Sequence, residues 1–112
     1  MIFVKYGYSI YFNNIFTFII LKMDKEYSII KQQISDEITL DQLEPLKILS
    51  LAPKGIADKW KEGIDYLNYL ETQGKLSATN FDILIKHLKN NVVVGDYIVI
   101  KYIEPFQQKL NY

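Results

Sequence analysis

The sequence predicts an all-α protein, a compact helical bundle, and three observations support this prediction. Two segments of the same form, Ile38-Thr39-x-x-Gln42-Leu43 and Leu76-Ser77-x-x-Asn80-Phe81, each place a hydroxyl side chain between two apolar ones. Such a hydroxyl accepts from N–H groups of a first helical turn, while the flanking apolar residues pack on each other. The third observation is that apolar residues recur every three or four positions from Tyr27 to Ile38, which indicates one face of a helix.

Length and composition limit the chain to one small domain. It has 112 residues, of which 49% are hydrophobic and 23% charged, and its formal net charge is zero. This balance favours a folded domain with a single core, and the lack of a basic block gives no sign of nucleic-acid binding. Cysteine is absent, which excludes disulfides, a thiolate nucleophile and a cysteine-based zinc site. We therefore expect no cofactor and a reducing compartment, the cytoplasm.

Residues 1–22 differ from the rest and are treated as an apolar N-terminal extension. They contain fifteen apolar or tyrosine side chains, and only Lys5 and Lys22 are charged. No unbroken apolar stretch, 18–21 included, is longer than four residues, far fewer than the roughly 20 residues that span a bilayer. The small-residue cleavage pattern of a secretory signal is also missing. Three interpretations remain open: a non-functional or mis-assigned start, a membrane-associating segment, and a strand or helix packed on the domain.

The first two helices of the domain follow from periodicity and capping signals. Helix 1 is predicted to begin at Asp24 and to carry the apolar stripe that reaches Ile38. Helix 2 is predicted over 39–51, with Gln42 completing the capping box of Thr39. Pro45 lies inside this helix, where a proline removes one N–H donor and crowds the carbonyl four residues earlier. We therefore expect a bend or a loosened first turn.

Three further helices are predicted from residues that typically start or stop a helix. A short helix or turn follows Ala52-Pro53-Lys54-Gly55, at about 56–61. Helix 4 carries an apolar stripe that begins at Ile64 and ends at Gly74, a typical left-handed stop residue. Helix 5 is predicted to start at Ser77 and to end at the Asn90-Asn91 pair.

The segment 92–104 allows two predictions. Residues 92–100 are rich in β-branched side chains and could form a hairpin whose two-residue turn is Gly95-Asp96. A lone hairpin is only marginally stable, however, so we prefer a helix from Asp96 to Glu104, stopped by Pro105.

Residues 39–51, Thr-Leu-Asp-Gln-Leu-Glu-Pro-Leu-Lys-Ile-Leu-Ser-Leu, resemble helix 2 of a death effector domain. Four other elements are similar to that family in order and approximate spacing: the start at 23–27, the proline of the third helix at Pro53, the Leu-Glu element at 66–71 and the start of helix 5 at 74–81. The resemblance covers 23–112. It implies a six-helix antiparallel bundle of death-fold type without catalytic activity. It further implies binding to death effector domains of an adaptor or an initiator caspase, regulation of apoptosis, and homotypic self-association as an option.

The resemblance also implies which residues bind partners. The family's hydrophobic surface pair maps onto Ile48 and Leu49, beside Lys47. Its charged trio, an acidic residue on helix 2 and an Arg-x-Asp-Leu motif at helix 6, is degraded. Gln42 stands at the acidic position, Val94 replaces the arginine, and only Asp96 remains. If the trio joins domains into filaments, this chain should polymerise poorly and act as a capping or competing partner.

Simpler structural roles compete with these assignments. Ile48 and Leu49 could be core residues, Gln42 the partner of Thr39, and Asp96 the N-cap of helix 6. His87, the only histidine, is expected to be a solvated surface residue, because no carboxylate lies at metal-ligand spacing from it.

Two other function classes are weaker. A membrane-associated helical protein would use 1–22 as its anchor. An enzyme is not expected, since no cysteine and no glycine-rich phosphate loop is present, and the single histidine has no recognisable nucleophile beside it.

Overall fold

The computed structural model describes residues 7–110, with the side chains of Ile15, Thr17 and 19–110. The described residues form six helices and no strand, which confirms the predicted all-α fold class. The helices are α1 (Gly7–Glu37), α2 (Leu40–Leu49), α3 (Lys54–Ala57), α4 (Gly63–Thr72), α5 (Asp82–Leu88) and α6 (95–110).

Helix α1 is longer than the sequence predicted. The predicted start at Asp24 is wrong, because the helix begins at Gly7 and passes without a break through the boundary at residue 22. No glycine or proline interrupts the chain between Tyr8 and Glu37, so nothing stops helix propagation there. The described side chains before Met23 are exposed, and those that pack on the core begin at Met23. No helix in the described range has both the length and the apolar character needed to cross a membrane.

The core lies where α1, α2, α4, α5 and α6 meet. Each helix contributes apolar side chains to this core, most of them almost fully buried, while those of α1 before Ile34 are partly buried. Trp60, between α3 and α4, is also buried, and its ring lies edge-on to Tyr66 with 6.0 Å between ring centroids. The fully buried members of this core include Ile34, Leu43, Leu46, Tyr66, Leu67, Leu70, Leu84, Leu88, Ile98, Ile103 and Phe106.

The start of α2 keeps the predicted position but not the predicted capping box. Thr39 has the extended backbone of an N-cap, yet its side chain makes no capping hydrogen bond. Gln42 Oε1 is buried without a hydrogen-bond partner among the described residues, so the predicted pairing with Thr39 is wrong. The N–H groups of Gln42 and Leu43 both donate to the Thr39 carbonyl, at 3.1 and 3.0 Å. The helix then continues through Pro45 as far as Leu49.

The predicted start of helix 5 at Ser77 is wrong. Ser77 and Asn80 close a tight turn in which each N–H donates to the other's carbonyl at 3.1 Å. Helix α5 begins only at Asp82, whose N–H donates to the Asn80 side chain at 3.1 Å. Serine side chains stabilise turns as readily as helix starts, and at this position the turn has formed.

The C-terminal segment is a helix with a widened turn, not a hairpin. Helix α6 consists of an α part at Gly95–Ile98, a π part at Val99–Ile103 and a second α part at Glu104–Leu110. The N–H of Glu104 donates to the carbonyl of Val99, five residues earlier. This π turn directly precedes Pro105 and relieves the crowding that a proline ring causes inside a regular helix. The prediction that Pro105 stops the helix is therefore wrong, although the preference for a helix is confirmed.

Gly95 allows α6 to begin directly against α5. A Cβ at this position would lie 1.9 Å from the carbonyl oxygen of Leu88 and 2.6 Å from its carbonyl carbon. Because both atoms belong to the backbone, no side-chain movement can make room. The resemblance placed Gly95 at a variable motif position, whereas the structure makes it a packing requirement.

We expect Gly95→Ala to lower the free energy of unfolding by at least about 2 kcal/mol, because α5 and α6 must separate to admit the methyl group. Urea unfolding followed by helical circular dichroism measures this change. Gly55→Ala is the matched control, since nothing lies within 4 Å of its Cβ position. Alanine in α3 should leave stability unchanged or raise it by up to about 1 kcal/mol. Equal stability of the two variants would contradict the close approach.

His87 is half-buried and hydrogen-bonded, not solvated as the sequence suggested. Its Nδ1 lies 2.7 Å from the hydroxyl of Tyr66, whose side chain is fully buried. Burial raises the pKa of Tyr66 above its ordinary value, so the hydroxyl keeps its proton. Burial lowers the pKa of His87, and the positive charges of Lys75 and Lys86 lower it further. The neutral imidazole is therefore the form that fits the folded state.

This arrangement predicts that the protein loses stability as the pH falls below about 6.5, the ordinary pKa of histidine. In that range the unfolded chain binds a proton at His87 more readily than the folded chain, so protonation favours unfolding. Above it, the contribution is fully present. Urea midpoints at about pH 7.5 and about pH 5.5 measure the effect, and His87→Gln should reduce the difference between them. An unchanged difference in that variant would show that other groups cause it.

Candidate interaction surface

The end of α2 has one buried face and one exposed apolar face. Leu43, Leu46 and Ser50 follow one another at helical spacing and are buried in the core. Ile48 lies on the opposite side and is 75% exposed, and Leu51, just past the helix end, is 83% exposed. Single exposed apolar residues are ordinary, but two aliphatic side chains exposed this far within four residues of each other indicate a binding surface.

The backbone at this helix end is held in a fixed and unusual conformation. The hydroxyl of Ser50 donates to the Lys47 carbonyl at 2.8 Å and accepts from the N–H of Ala52 at 3.3 Å. Leu51 itself has a φ of 58°. This left-handed conformation is unfavourable for a residue with a Cβ, by about 1 kcal/mol or more. The chain thus presents an apolar side chain at a strained position, a combination that is typical of functional sites.

A shallow groove of about 470 Å³ runs between the end of α2 and α3. Its lining includes Lys47, Ile48, Leu51, Lys54 and Asp58; we call these five residues the Ile48 surface. Lys47 Nζ lies 3.2 Å from Glu44 Oε1, which also borders the groove. The Ile48 surface therefore has an apolar centre and a rim with charges of both signs.

The other predicted binding residues do not join the Ile48 surface. Leu49 is half-buried, and its side chain does not line the groove. Gln42 lines a second cleft of about 300 Å³, together with 91–93. Val94 is half-buried and lines neither cleft.

Asp96 is exposed within the first turn of α6, and Val94 occupies the N-cap position. The interpretation of Asp96 as an N-cap is therefore wrong. A carboxylate in a first helical turn still stabilises the positive end of the helix dipole. This local role accounts for Asp96 without a partner.

Ile48 and Lys47, both among the predicted binding residues, line the groove, and so does Leu51, which was not predicted to lie on a binding surface. Leu51 was predicted to be one of the apolar positions of helix 2, which in fact ends at Leu49. No helical spacing marks Leu51, because α2 ends at Leu49 and Leu51 has a positive φ.

The chemistry of this surface has to be inferred from its own side chains. No protein-family model, no curated protein and no solved structure matches this chain. Within the described part of the chain, no group of three or more His, Cys, Asp or Glu side chains could hold a metal ion. What the Ile48 surface offers is exposed aliphatic area with a charged rim, a composition that suits contact with another protein.

We expect Leu51→Gly to raise the free energy of unfolding by about 1 kcal/mol, because glycine adopts a positive φ without steric cost. Asn90→Gly is the matched control, since Asn90 has a φ of 64°. Asparagine tolerates this conformation, so the gain there should be smaller. Urea unfolding of both variants measures the difference. A loss of stability in Leu51→Gly would mean that its side chain packs within its own chain.

Proposed function

We propose that this chain is a non-enzymatic interaction module that binds death effector domains and thereby regulates apoptosis. The partners are the death effector domains of an adaptor or of an initiator caspase. One observation supports this proposal above all: Ile48, which the sequence resemblance assigns to the family's hydrophobic pair, is 75% exposed on α2. The alternative role for Ile48, a core side chain, does not fit that exposure.

The energetics of the Ile48 surface suit a small apolar hot spot. Burying an exposed isoleucine or leucine side chain stabilises a complex by about 1.5–3 kcal/mol. Ile48 and Leu51 together therefore supply the main favourable contact. The hydrogen bonds of the buried Ser50 hold the backbone that carries both side chains before binding, which lowers the entropy lost on association. Lys47, Lys54 and Asp58 at the rim orient the partner.

In this proposal the chain caps or competes with assemblies of death effector domains instead of extending them. Extension requires two different surfaces on each domain. The second, charged surface lacks its acidic residue and its arginine, because Gln42 and Val94 stand in those places. Gln42 Oε1 is buried and Val94 is half-buried, which leaves only Asp96 exposed. A chain with one working surface binds the end of an assembly and offers no site for the next member.

Replacing both exposed side chains, Ile48→Glu with Leu51→Glu, should abolish binding to a purified death effector domain. The charges would have to be desolvated against an apolar contact, at a cost of several kcal/mol. Leu49 is left intact, because it is half-buried and its replacement would disturb the fold. Co-precipitation and titration calorimetry with the full chain measure binding, and circular dichroism checks helix content.

Ile100→Glu is the matched control, since Ile100 is an exposed isoleucine on α6, away from the groove. This variant should bind as the unchanged chain does. Equal binding by the Ile48/Leu51 variant would refute the assigned surface. Failure of the unchanged chain to bind any death effector domain would refute the function, and filament formation by the purified chain would refute the capping role.

A further inference from the structure

The first half of α1 presents apolar side chains that do not pack on the core formed by the described residues. Ile15, Ile19 and Leu21 are all exposed, and those α1 side chains that pack on the core begin at Met23. A helix of 31 residues is about 46 Å long. Its first half therefore extends beyond the part that the core stabilises.

One stripe along α1 repeats every seven residues and is separate from the core-facing stripe. At about 100° per residue it lies roughly a quarter turn from the buried face that contains Ile34. Its spacing alternates between four and three positions, as in the seam of a coiled coil. Ile19 and Ile29 are 55% and 50% exposed. The stripe consists of Ile15, Ile19, Lys22, Glu26, Ile29 and Gln33, and we call it the α1 stripe.

The second half of the α1 stripe borders a groove between α1 and α6. This groove has a volume of about 300 Å³, and the stripe contributes Glu26, Ile29 and Gln33 to its lining. Pro105 and Phe106 of α6 line the same groove. An apolar helix laid along the stripe would thus contact α6 as well as α1.

We infer that a second copy of this chain occupies the α1 stripe, with the two α1 helices antiparallel and crossing near Asp24. The stripe is self-complementary in this arrangement, because its positions pair symmetrically about residue 24. Lys22 then faces Glu26 of the second copy, and Glu26 faces Lys22. Ile19 faces Ile29 in the same way. A parallel pair would instead place Lys22 on Lys22 and Glu26 on Glu26, which is repulsive.

The antiparallel arrangement also fills the groove. Residues 15–33 overlap over about 28 Å, so Ile15 and Ile19 of the second copy lie beside Ile29 and Gln33. These are the positions at which the stripe borders α6. The contact is isologous: each copy gives its exposed first half and receives the other's in its groove. This pairing uses none of the Ile48 surface and is independent of the proposed function.

Charge reversal tests the pairing on the full chain of 112 residues. Lys22→Glu places two carboxylates opposite each other at both symmetric positions, and Glu26→Lys does the same with two ammonium groups. Each variant alone should dimerise more weakly, by a factor on the order of ten. An equimolar mixture of the two should regain the dimer, because both contacts then join opposite charges. The double variant Lys22→Glu with Glu26→Lys should regain it as well.

Sedimentation equilibrium measures the dissociation constant in each case. Lys25→Glu is the matched control, since Lys25 is exposed on α1 but lies off the stripe, and it should dimerise normally. A monomeric unchanged chain, a dimer that neither reversal weakens, or a mixture that does not pair would each overturn the inference. A monomer that sediments with phospholipid vesicles would overturn it in favour of a membrane contact.

Discussion

The bundle depends on the side chain of Tyr27, through which α1 contacts three other parts of the fold. Its ring lies edge-on to Phe81, just before α5, at 6.0 Å between centroids, and 6.4 Å from Phe106 of α6. Its hydroxyl donates to Glu71 of α4. Lys31, one turn later, lies 2.7 Å from the same carboxylate. Burial and the neighbouring Glu71 raise the pKa of Tyr27, so the hydroxyl keeps the proton that it donates.

This contact also determines where α1 leaves the bundle. Tyr27 and Lys31 fix the helix against α4, and Gly63 brings the two helices together, because a Cβ there would lie 2.9 Å from the Ser35 carbonyl oxygen. Upstream of Met23 no described side chain of α1 packs on the core. The direction of the exposed first half is therefore set by contacts made only in the second half.

How far the sequence predicts the fold depends on whether a feature is periodic or local. The stripe from Tyr27 to Ile38 was found from its spacing, since burial of one helix face leaves a repeating pattern. The start of α5 was not found, because a serine side chain stabilises a turn as readily as a helix start, and here Ser77 and Asn80 close a turn. The requirement for Gly95 depends on the Leu88 carbonyl, and a contact between two elements leaves no periodic signal.

The residues of the interaction surface also differ in how far the sequence predicts them. Ile48 was singled out because the resemblance placed it in a hydrophobic surface pair, and in the structure it is exposed. Leu51 was missed because the sequence did not show that α2 ends at Leu49, after which Leu51 leaves the helical register. For Gln42 the sequence predicted a hydrogen bond that does not form. Its expected hydrogen bond to the helix start is plausible from spacing, but its Oε1 is enclosed without such a partner among the described residues.

Pairing through α1 and partner binding through the Ile48 surface can occur in the same molecule. Two copies joined through α1 would carry two Ile48 surfaces, since the α1 stripe and the groove beside α3 share no residue. A second surface raises the apparent affinity for a clustered partner only when both can engage at once. Each copy of the chain would still lack the second, charged surface that extends an assembly, because Val94 cannot replace an arginine. Pairing would therefore strengthen capping of clustered partners without turning the chain into a link between successive members.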